Sequence, residues 1–105
     1  MALTRSFRDT VQARATRDPA FRQALFQEAA QVLFDGDVAS GRSALRDYIN
    51  ATIGFDTLAE ATKTPAKSLM RMFGPKGNPT AANLFAVIDA LQDKTGVRLE
   101  VRAIS

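Results

Sequence analysis

The sequence predicts a single, mostly helical domain of the all-α class, with one β-strand at its C-terminal end. Apolar residues recur with the period of amphipathic helices, about 3.6 residues, through most of the chain, and capping residues or glycines bound these segments. A strict alternation of apolar and polar residues occurs at the end of the chain, where it indicates a strand. The length of 105 residues suits one domain with one core.

Residues 1–54 are predicted to form N-terminal helices. Residues 4–15 have a sparse apolar face, so both a short helix and an arginine-rich arm that adds phosphate contacts remain open. Asp18 followed by Pro19 marks the start of the next helix, because a capping carboxylate and a proline in the first turn both favour that position. Gly36 provides the end of this helix.

A further helix follows, with Asp37 as its capping residue and an end near Thr52. Its apolar positions form one stripe, which consists of Leu45, Tyr48, Ile49 and Ile53. We expect this helix and the preceding one to form an antiparallel hairpin that supplies core. Tyr48 is expected to act in packing rather than in catalysis.

Residues 55–95 are predicted to form two short helices joined by a tight turn, then a basic loop and a longer helix. Leu58 in the first short helix and Leu69 in the second face inward. Thr64 is expected to cap the second short helix, with Pro65 in its first turn. This order is typical of a helix-turn-helix, a DNA-binding unit whose second helix enters the major groove.

The charge distribution favours contact with nucleic acid. The chain carries a net charge of +3, and residues 18–62 hold seven acids against three bases. Residues 63–78, by contrast, contain no acid and four cations, which are Lys63, Lys67, Arg71 and Lys76. An uninterrupted positive segment at the turn, the second helix and the loop is what contact with phosphates requires.

A helical wheel of residues 65–73 places Lys67 and Arg71 opposite the inward apolar residues. Cationic side chains can donate to the acceptor atoms of guanine, and the thioether of Met70 can contact a thymine methyl group. An ordinary solvated basic face is the alternative interpretation. The residues predicted to contact DNA, with flanking and loop positions included, are Thr64, Ala66, Lys67, Ser68, Met70, Arg71, Lys76 and Asn78.

The composition argues against several kinds of chemistry. The chain has no cysteine and no histidine, which removes thiolate and histidine metal sites and histidine-based catalysis. No constellation of carboxylates, lysines or tyrosine replaces them, so we expect a protein that is not an enzyme and that uses no cofactor and no metal. The N-terminus lacks a secretory apolar core, and no apolar run is long enough to span a bilayer, so a cytoplasmic protein without membrane contact is expected.

Residues 96–105 change to a period of two. Val97, Leu99, Val101 and Ala103 would face one side of a strand, and Arg98, Glu100 and Arg102 the other. A lone strand leaves its backbone hydrogen-bonding groups without partners. A second copy of the same strand would satisfy them and form a homodimer. Strand addition from another protein, such as a toxin, and a disordered tail are the alternatives.

The segment GFDTLAEATKTPAKSLMRMFGPKGNPTAANLFAVIDAL resembles the lambda-repressor-like (Xre/Cro-type) helix-turn-helix family. Within that family, the chain is similar to the addiction-module antidotes, which are HigA-like antitoxins of type II toxin–antitoxin systems. The resemblance depends on Leu-Ala-Glu at 58–60, on Ser68-Leu69, and on Gly-Asn-Pro-Thr at 77–80. One departure is Lys63, because the turn of this family usually carries glycine at that position.

The resemblance implies a small DNA-binding transcriptional regulator with a lambda-repressor-like domain, which represses its own operon and neutralises a cognate toxin protein. It places Ala66, Lys67, Met70 and Arg71 on the base-reading face, and Lys76 and Asn78 in the loop that follows. A homodimer would then bind a palindromic operator in double-stranded DNA, with its recognition helices about 34 Å apart. The alternative is an antitoxin or regulator that binds proteins and whose helix-turn-helix does not bind DNA specifically.

Overall fold

The chain folds into a bundle of helices. The computed structural model describes the backbone of residues 5–105 and the side chains of residues 10–105. The helices are α1 (Arg5–Arg17), α2 (Pro19–Phe34), α3 (Val38–Ala51), α4 (Gly54–Thr62), α5 (Ala66–Met72) and α6 (Ala81–Thr95). The predicted all-α character is therefore confirmed, and no strand is present among residues 5–105.

The N-terminal segment forms a helix and not an extended arginine-rich arm, because α1 is helical and packs on the domain. Ala15 is fully buried. The guanidinium of Arg22 in α2 donates to the carbonyl oxygens of Ala15, at 2.7 Å, and Thr16, at 3.1 Å. These bonds satisfy carbonyl groups at the end of α1 that have no partner within the helix. The guanidinium of Arg14 also lies 4.4 Å from the ring centroid of Phe21, so α1 and α2 are joined twice.

Helices α2 and α3 form the predicted hairpin, and both begin at the predicted capping residues. The Asp18 carboxylate accepts hydrogen bonds from N–H groups in the first turn of α2. The Asp37 carboxylate accepts the N–H of Ser40 at 3.1 Å. The two helices approach closely at Gly41, where an added Cβ would lie 2.5 Å from Cδ2 of Leu33. Gly41 therefore allows α2 and α3 to lie against each other.

The hydrophobic core lies between this hairpin and the helices that follow it. Its buried members are Phe26, Ala29, Leu45, Tyr48, Ile49, Phe55, Leu58, Leu69, Phe73, Val87 and Leu91. The rings of Phe26 and Tyr48 are stacked with centroids 4.5 Å apart. The Tyr48 hydroxyl donates to Oγ1 of Thr95 at 3.1 Å, so this residue joins α2, α3 and α6. Tyr48 is thus a packing residue, as predicted.

Helices α4, α5 and α6 cover the other side of the core. The predicted inward residues Leu58 and Leu69 are buried, and the rings of Phe55 and Phe73 lie 6.5 Å apart. The hydroxyl of Thr80 accepts the N–H of Asn83 at 3.1 Å and caps α6, as its sequence predicts. These contacts fix α5 against the core by one face and leave its other face to solvent.

The predicted strand at residues 97–104 is not formed, and residues 5–105 contain no neighbouring strand with which it could pair. Val97 and Leu99 pack against the core, and the Leu99 N–H donates to Oε1 of Gln92 at 2.9 Å. Beyond them, Val101 and Ile104 are 73% and 90% exposed.

No helix within residues 5–105 combines the length and the apolar character that a membrane span requires.

Replacement of Tyr48 by Phe should change how stability depends on pH. Burial raises the pKa of the Tyr48 phenol, although the hydrogen bond with Thr95 and the charge of Arg22 oppose the shift. The folded state favours the neutral phenol. The stability that Tyr48 contributes is therefore complete below the ordinary phenol pKa of about 10, and it is lost as the pH rises through the higher pKa of the folded state. In urea titrations, Tyr48→Phe should be about 1 kcal/mol less stable at neutral pH, with a difference that shrinks in alkali.

A control for this experiment is Thr95→Val, which removes the Tyr48 hydrogen bond, together with the Thr95 bonds to Leu91 and Val97, but retains the phenol. This variant should still lose stability in alkali, because its buried phenol can still ionise. Parallel stability curves for the wild type and Tyr48→Phe across the alkaline range would contradict the assignment.

Candidate nucleic-acid interface

The turn between α4 and α5 is centred on Lys63, whose φ of 54° and ψ of 37° lie in the left-handed region. Among residues 5–105, Lys63 is the one non-glycine residue with a positive φ. The N–H of Thr64 donates to the carbonyl oxygen of Ala59 at 3.1 Å and closes the end of α4. The family resemblance implies that glycine is usual at the position of Lys63, and the backbone of Lys63 has a conformation that favours glycine. A residue with a Cβ adopts it at a cost of about 1–2 kcal/mol.

Helix α5 begins one residue later than predicted. Pro65 has φ −56° and ψ 139°, so it precedes the helix, and its carbonyl oxygen accepts the N–H groups of Ser68 and Leu69 at 3.0 and 3.1 Å. The prediction that Thr64 caps this helix is wrong, because its hydroxyl donates to the carbonyl oxygen of Thr62 at 3.3 Å. Thr64 remains half-buried beside the turn.

One face of α5 is exposed and carries most of the side chains predicted to contact DNA. Lys67 and Arg71 are exposed one turn apart, and Met70 is 49% exposed. Ala66 and Ser68 flank this face and are half-buried. The opposite face contributes buried Leu69 and partly buried Met72 to the core, as predicted. The predicted face of α5 is therefore presented to solvent as one surface.

The loop at residues 74–78 presents Lys76 and Asn78, which are both exposed. It closes on itself through a hydrogen bond of 3.0 Å from the Gly77 N–H to the carbonyl oxygen of Gly74. A Cβ added to Gly77 would overlap the carbonyl oxygen of Met72 and would lie 2.5 Å from that of Arg71. Only glycine allows the loop to lie this close to the C-terminal end of α5. Lys76 and Asn78 consequently extend the exposed face of α5.

Arg42 of α3 also belongs to this region, and sequence analysis missed it. Its Nη1 donates to the carbonyl oxygen of Gly77, and its Nη2 lies 3.3 Å from the carbonyl oxygen of Pro75. Arg42 and Gly77 are 35 positions apart in the chain. No local pattern connects residues at such a separation. The sequence offers one signal for this contact, an arginine beside the buried stripe of a core helix. That signal is not specific, because an arginine at such a position is common in helices of any function.

The exposed cations of this surface have no anionic partner in the described part of the chain. No acidic residue occurs between Glu60 and Asp89. Among residues 10–105, the ion pair present is Arg14 with Asp18, at 3.7 Å and remote in sequence from the turn. The charges of the turn, of α5 and of the loop are therefore available to an external anion. No group of three or more acidic side chains that could hold a metal ion occurs among the described residues.

Comparisons with protein-family models, with curated proteins and with solved structures found no match to this chain.

Replacement of Lys63 by glycine should stabilise the protein. Glycine relieves the left-handed strain but adds freedom to the unfolded chain, so we expect a net gain of about 0.5–1 kcal/mol in the free energy of unfolding. The matched control is Lys67→Gly, which changes the same residue type at another exposed position, in the right-handed backbone of α5. That variant should lose about 1 kcal/mol. Urea titrations that show a loss of stability for both variants would mean that the turn carries no strain at Lys63.

Proposed function

We propose that this chain is a sequence-specific DNA-binding transcriptional regulator with a helix-turn-helix of the lambda-repressor-like type. The observation that carries the proposal is the exposed pair Lys67 and Arg71, which lies on the second helix of the unit, opposite buried Leu69. The acid-free segment around this pair and the resemblance of residues 54–91 to the family support it further.

In this proposal, α5 enters the major groove of a DNA duplex. Arg71 and Lys67 donate to guanine acceptors or to neighbouring phosphates, and the exposed thioether of Met70 contacts a thymine methyl group. Lys76 and Asn78 contact the sugar–phosphate backbone beside the groove. Ala66, Ser68 and Thr64 lie at the edge of this surface, where their small side chains allow α5 a close approach.

The biological role that we propose is that of the antitoxin in a type II toxin–antitoxin module, acting in the cytoplasm as the repressor of its own operon. The resemblance of residues 54–91 to the HigA-like antidotes supports this role. The partner would be a toxin protein encoded beside it. The same DNA contacts would serve a regulator that has no toxin.

We further propose that the chain acts as a homodimer that binds a palindromic operator. Val101 remains exposed although it belongs to the alternating apolar pattern of the tail, and Ile104, which follows that pattern, is exposed as well. Pairing of this tail with the tail of a second copy would give its backbone groups hydrogen-bond partners and would cover these side chains. A two-fold axis would then place two α5 helices on one face of the duplex.

DNA binding can be tested by gel shift with the duplex that lies upstream of the gene. The wild type should form a discrete complex, and Lys67→Ala combined with Arg71→Ala should weaken it by about 100-fold, because each side chain contributes about 1–3 kcal/mol when it contacts a base. Each single variant should also narrow the difference in affinity between this duplex and scrambled DNA.

Lys94→Ala is the matched control, because Lys94 is exposed at the end of α6 remote from the loop. It should leave operator affinity within about twofold, since a distant charge at physiological salt is largely screened. Unchanged binding by the double variant would refute the assigned surface. An equal weakening on operator and scrambled DNA would assign both side chains to phosphate contacts.

The dimer can be tested by removal of residues 100–105. This deletion retains Val97 and Leu99, which pack against the core, so the monomer should remain folded. Sedimentation should show a dimer for the full chain and a monomer for the shortened chain, with weaker operator binding. An unchanged dimer after the deletion would place the interface on the helices.

A further inference from the structure

We propose that Arg42 is a positioning residue for DNA binding, which holds the loop at residues 74–78 where Lys76 and Asn78 reach the duplex. The inference rests on the proposed function and adds to it a residue outside the helix-turn-helix. Arg42 belongs to α3, and its guanidinium bridges two carbonyl groups of the loop.

The chemistry of arginine fits this role. One terminal nitrogen of Arg42 donates to the carbonyl oxygen of Gly77 and the other to that of Pro75. A planar guanidinium offers two donors in a fixed fork, whereas a lysine ammonium is a single point of attachment on a flexible stem. Charge-assisted hydrogen bonds of this type are stronger than bonds between neutral groups. Arg42 therefore fixes both the distance and the orientation of the loop.

The loop has few other means of keeping its position. Pro75 has no N–H group, and Gly77 has no side chain that could anchor it. The Gly77 N–H bonds to the carbonyl oxygen of Gly74 within the loop itself, so this bond shapes the loop without attaching it to the core. The buried side chain of Pro79 anchors the chain after Asn78. Between Gly74 and Pro79, the hydrogen bonds that join the loop to other elements among the described residues come from Arg42.

The platform behind Arg42 is rigid. Gly41, its neighbour in the chain, lies so close to Leu33 that α2 and α3 leave no room for a Cβ at that point. The start of α3 is also capped by Asp37. A displacement of the Arg42 backbone would therefore disturb the packing of α3 against α2. The α2–α3 hairpin thus carries the loop as well as the core.

In this proposal Arg42 acts on DNA binding through the loop, in contrast to a residue that contacts DNA directly. Two of its N–H donors bond to loop carbonyls, so its removal should change the positions of Lys76 and Asn78. The losses of binding free energy caused by removing Arg42 and by removing Lys76 should then not add, so the double variant should lose less than the sum of the two single losses. The dependence of affinity on salt provides a second criterion for a direct contact with DNA. Loss of one phosphate contact lowers the slope of log affinity against log salt concentration by about one unit.

The experiment measures operator affinity at several salt concentrations for the full-length wild type, Arg42→Gln, Lys76→Ala and the double variant. We expect Arg42→Gln to weaken binding by roughly tenfold, the effect of losing one to two hydrogen bonds of a charged donor. In the Lys76→Ala background, Arg42→Gln should weaken binding by less than it does in the wild type, because only the contact of Asn78 remains to be lost, and it should leave the salt slope unchanged. Arg42→Lys, which retains the charge, should stay well below wild-type affinity.

Arg46→Gln is the matched control, because Arg46 lies one turn further along α3 and has no hydrogen bond or ion pair within residues 10–105. It removes the same charge and should bind within about twofold of the wild type. Circular dichroism establishes that each variant is folded at the temperature of the binding assay. Equal affinity of Arg42→Gln and the wild type, additive effects with Lys76→Ala, or full rescue by Arg42→Lys would each overturn the proposal.

Failure of the proposed function has a different signature. If the wild type itself binds operator and scrambled DNA equally weakly, the specific DNA-binding role fails. The role of Arg42 as the attachment of the loop is then tested by amide hydrogen exchange at Gly77 in the absence of DNA. Arg42→Gln should speed this exchange at least tenfold while Arg46→Gln leaves it unchanged. Equal exchange in all three proteins would overturn the positioning role.

Discussion

The left-handed backbone of Lys63 determines how α5 follows α4, and with it the position of the exposed face of α5. Because the chain reverses there within a few residues, Leu58 and Leu69 are both directed into one core. The same reversal leaves Lys67 and Arg71 in solvent. A right-handed residue at this point would continue α4 and carry the basic face of α5 away from the loop. Local strain of about 1–2 kcal/mol thus accompanies the turn that leaves the basic face of α5 exposed.

The domain has two mechanically different parts. The hairpin of α2 and α3 is closely packed and provides the stacked rings of Phe26 and Tyr48. The surface of α5 and the following loop contains short elements whose positions depend on contacts with the hairpin and with α4. Affinity in such a surface depends on pre-organisation as much as on the side chains that make contact. The residues that determine binding therefore extend beyond those that reach the duplex.

Much of the fold could be predicted because its chemistry is local. Asp18, Asp37 and Thr80 cap the helices that their sequence neighbourhoods predict, and the inward faces follow from periodicity. The start of α5 is not predicted correctly, because a proline suits both the cap position and the first turn, and Pro65 with its extended ψ occupies the cap. The role of Arg42 depends on a contact between distant segments, which no periodicity encodes. The tail differs for another reason, since a strand needs a neighbouring strand and residues 5–105 of one copy contain none.

The junction at Tyr48 also gives the molecule an optical reporter in a useful place. The chain contains one tyrosine and no tryptophan, so its near-ultraviolet signal arises chiefly from a single side chain. That side chain touches α2 through its ring and α6 through its hydroxyl. A ligand that changes the hairpin would alter this signal, whereas one that touches only the exposed face of α5 would leave it unchanged. Spectroscopy of the natural chain can therefore distinguish events in the core from events at the surface without any added label.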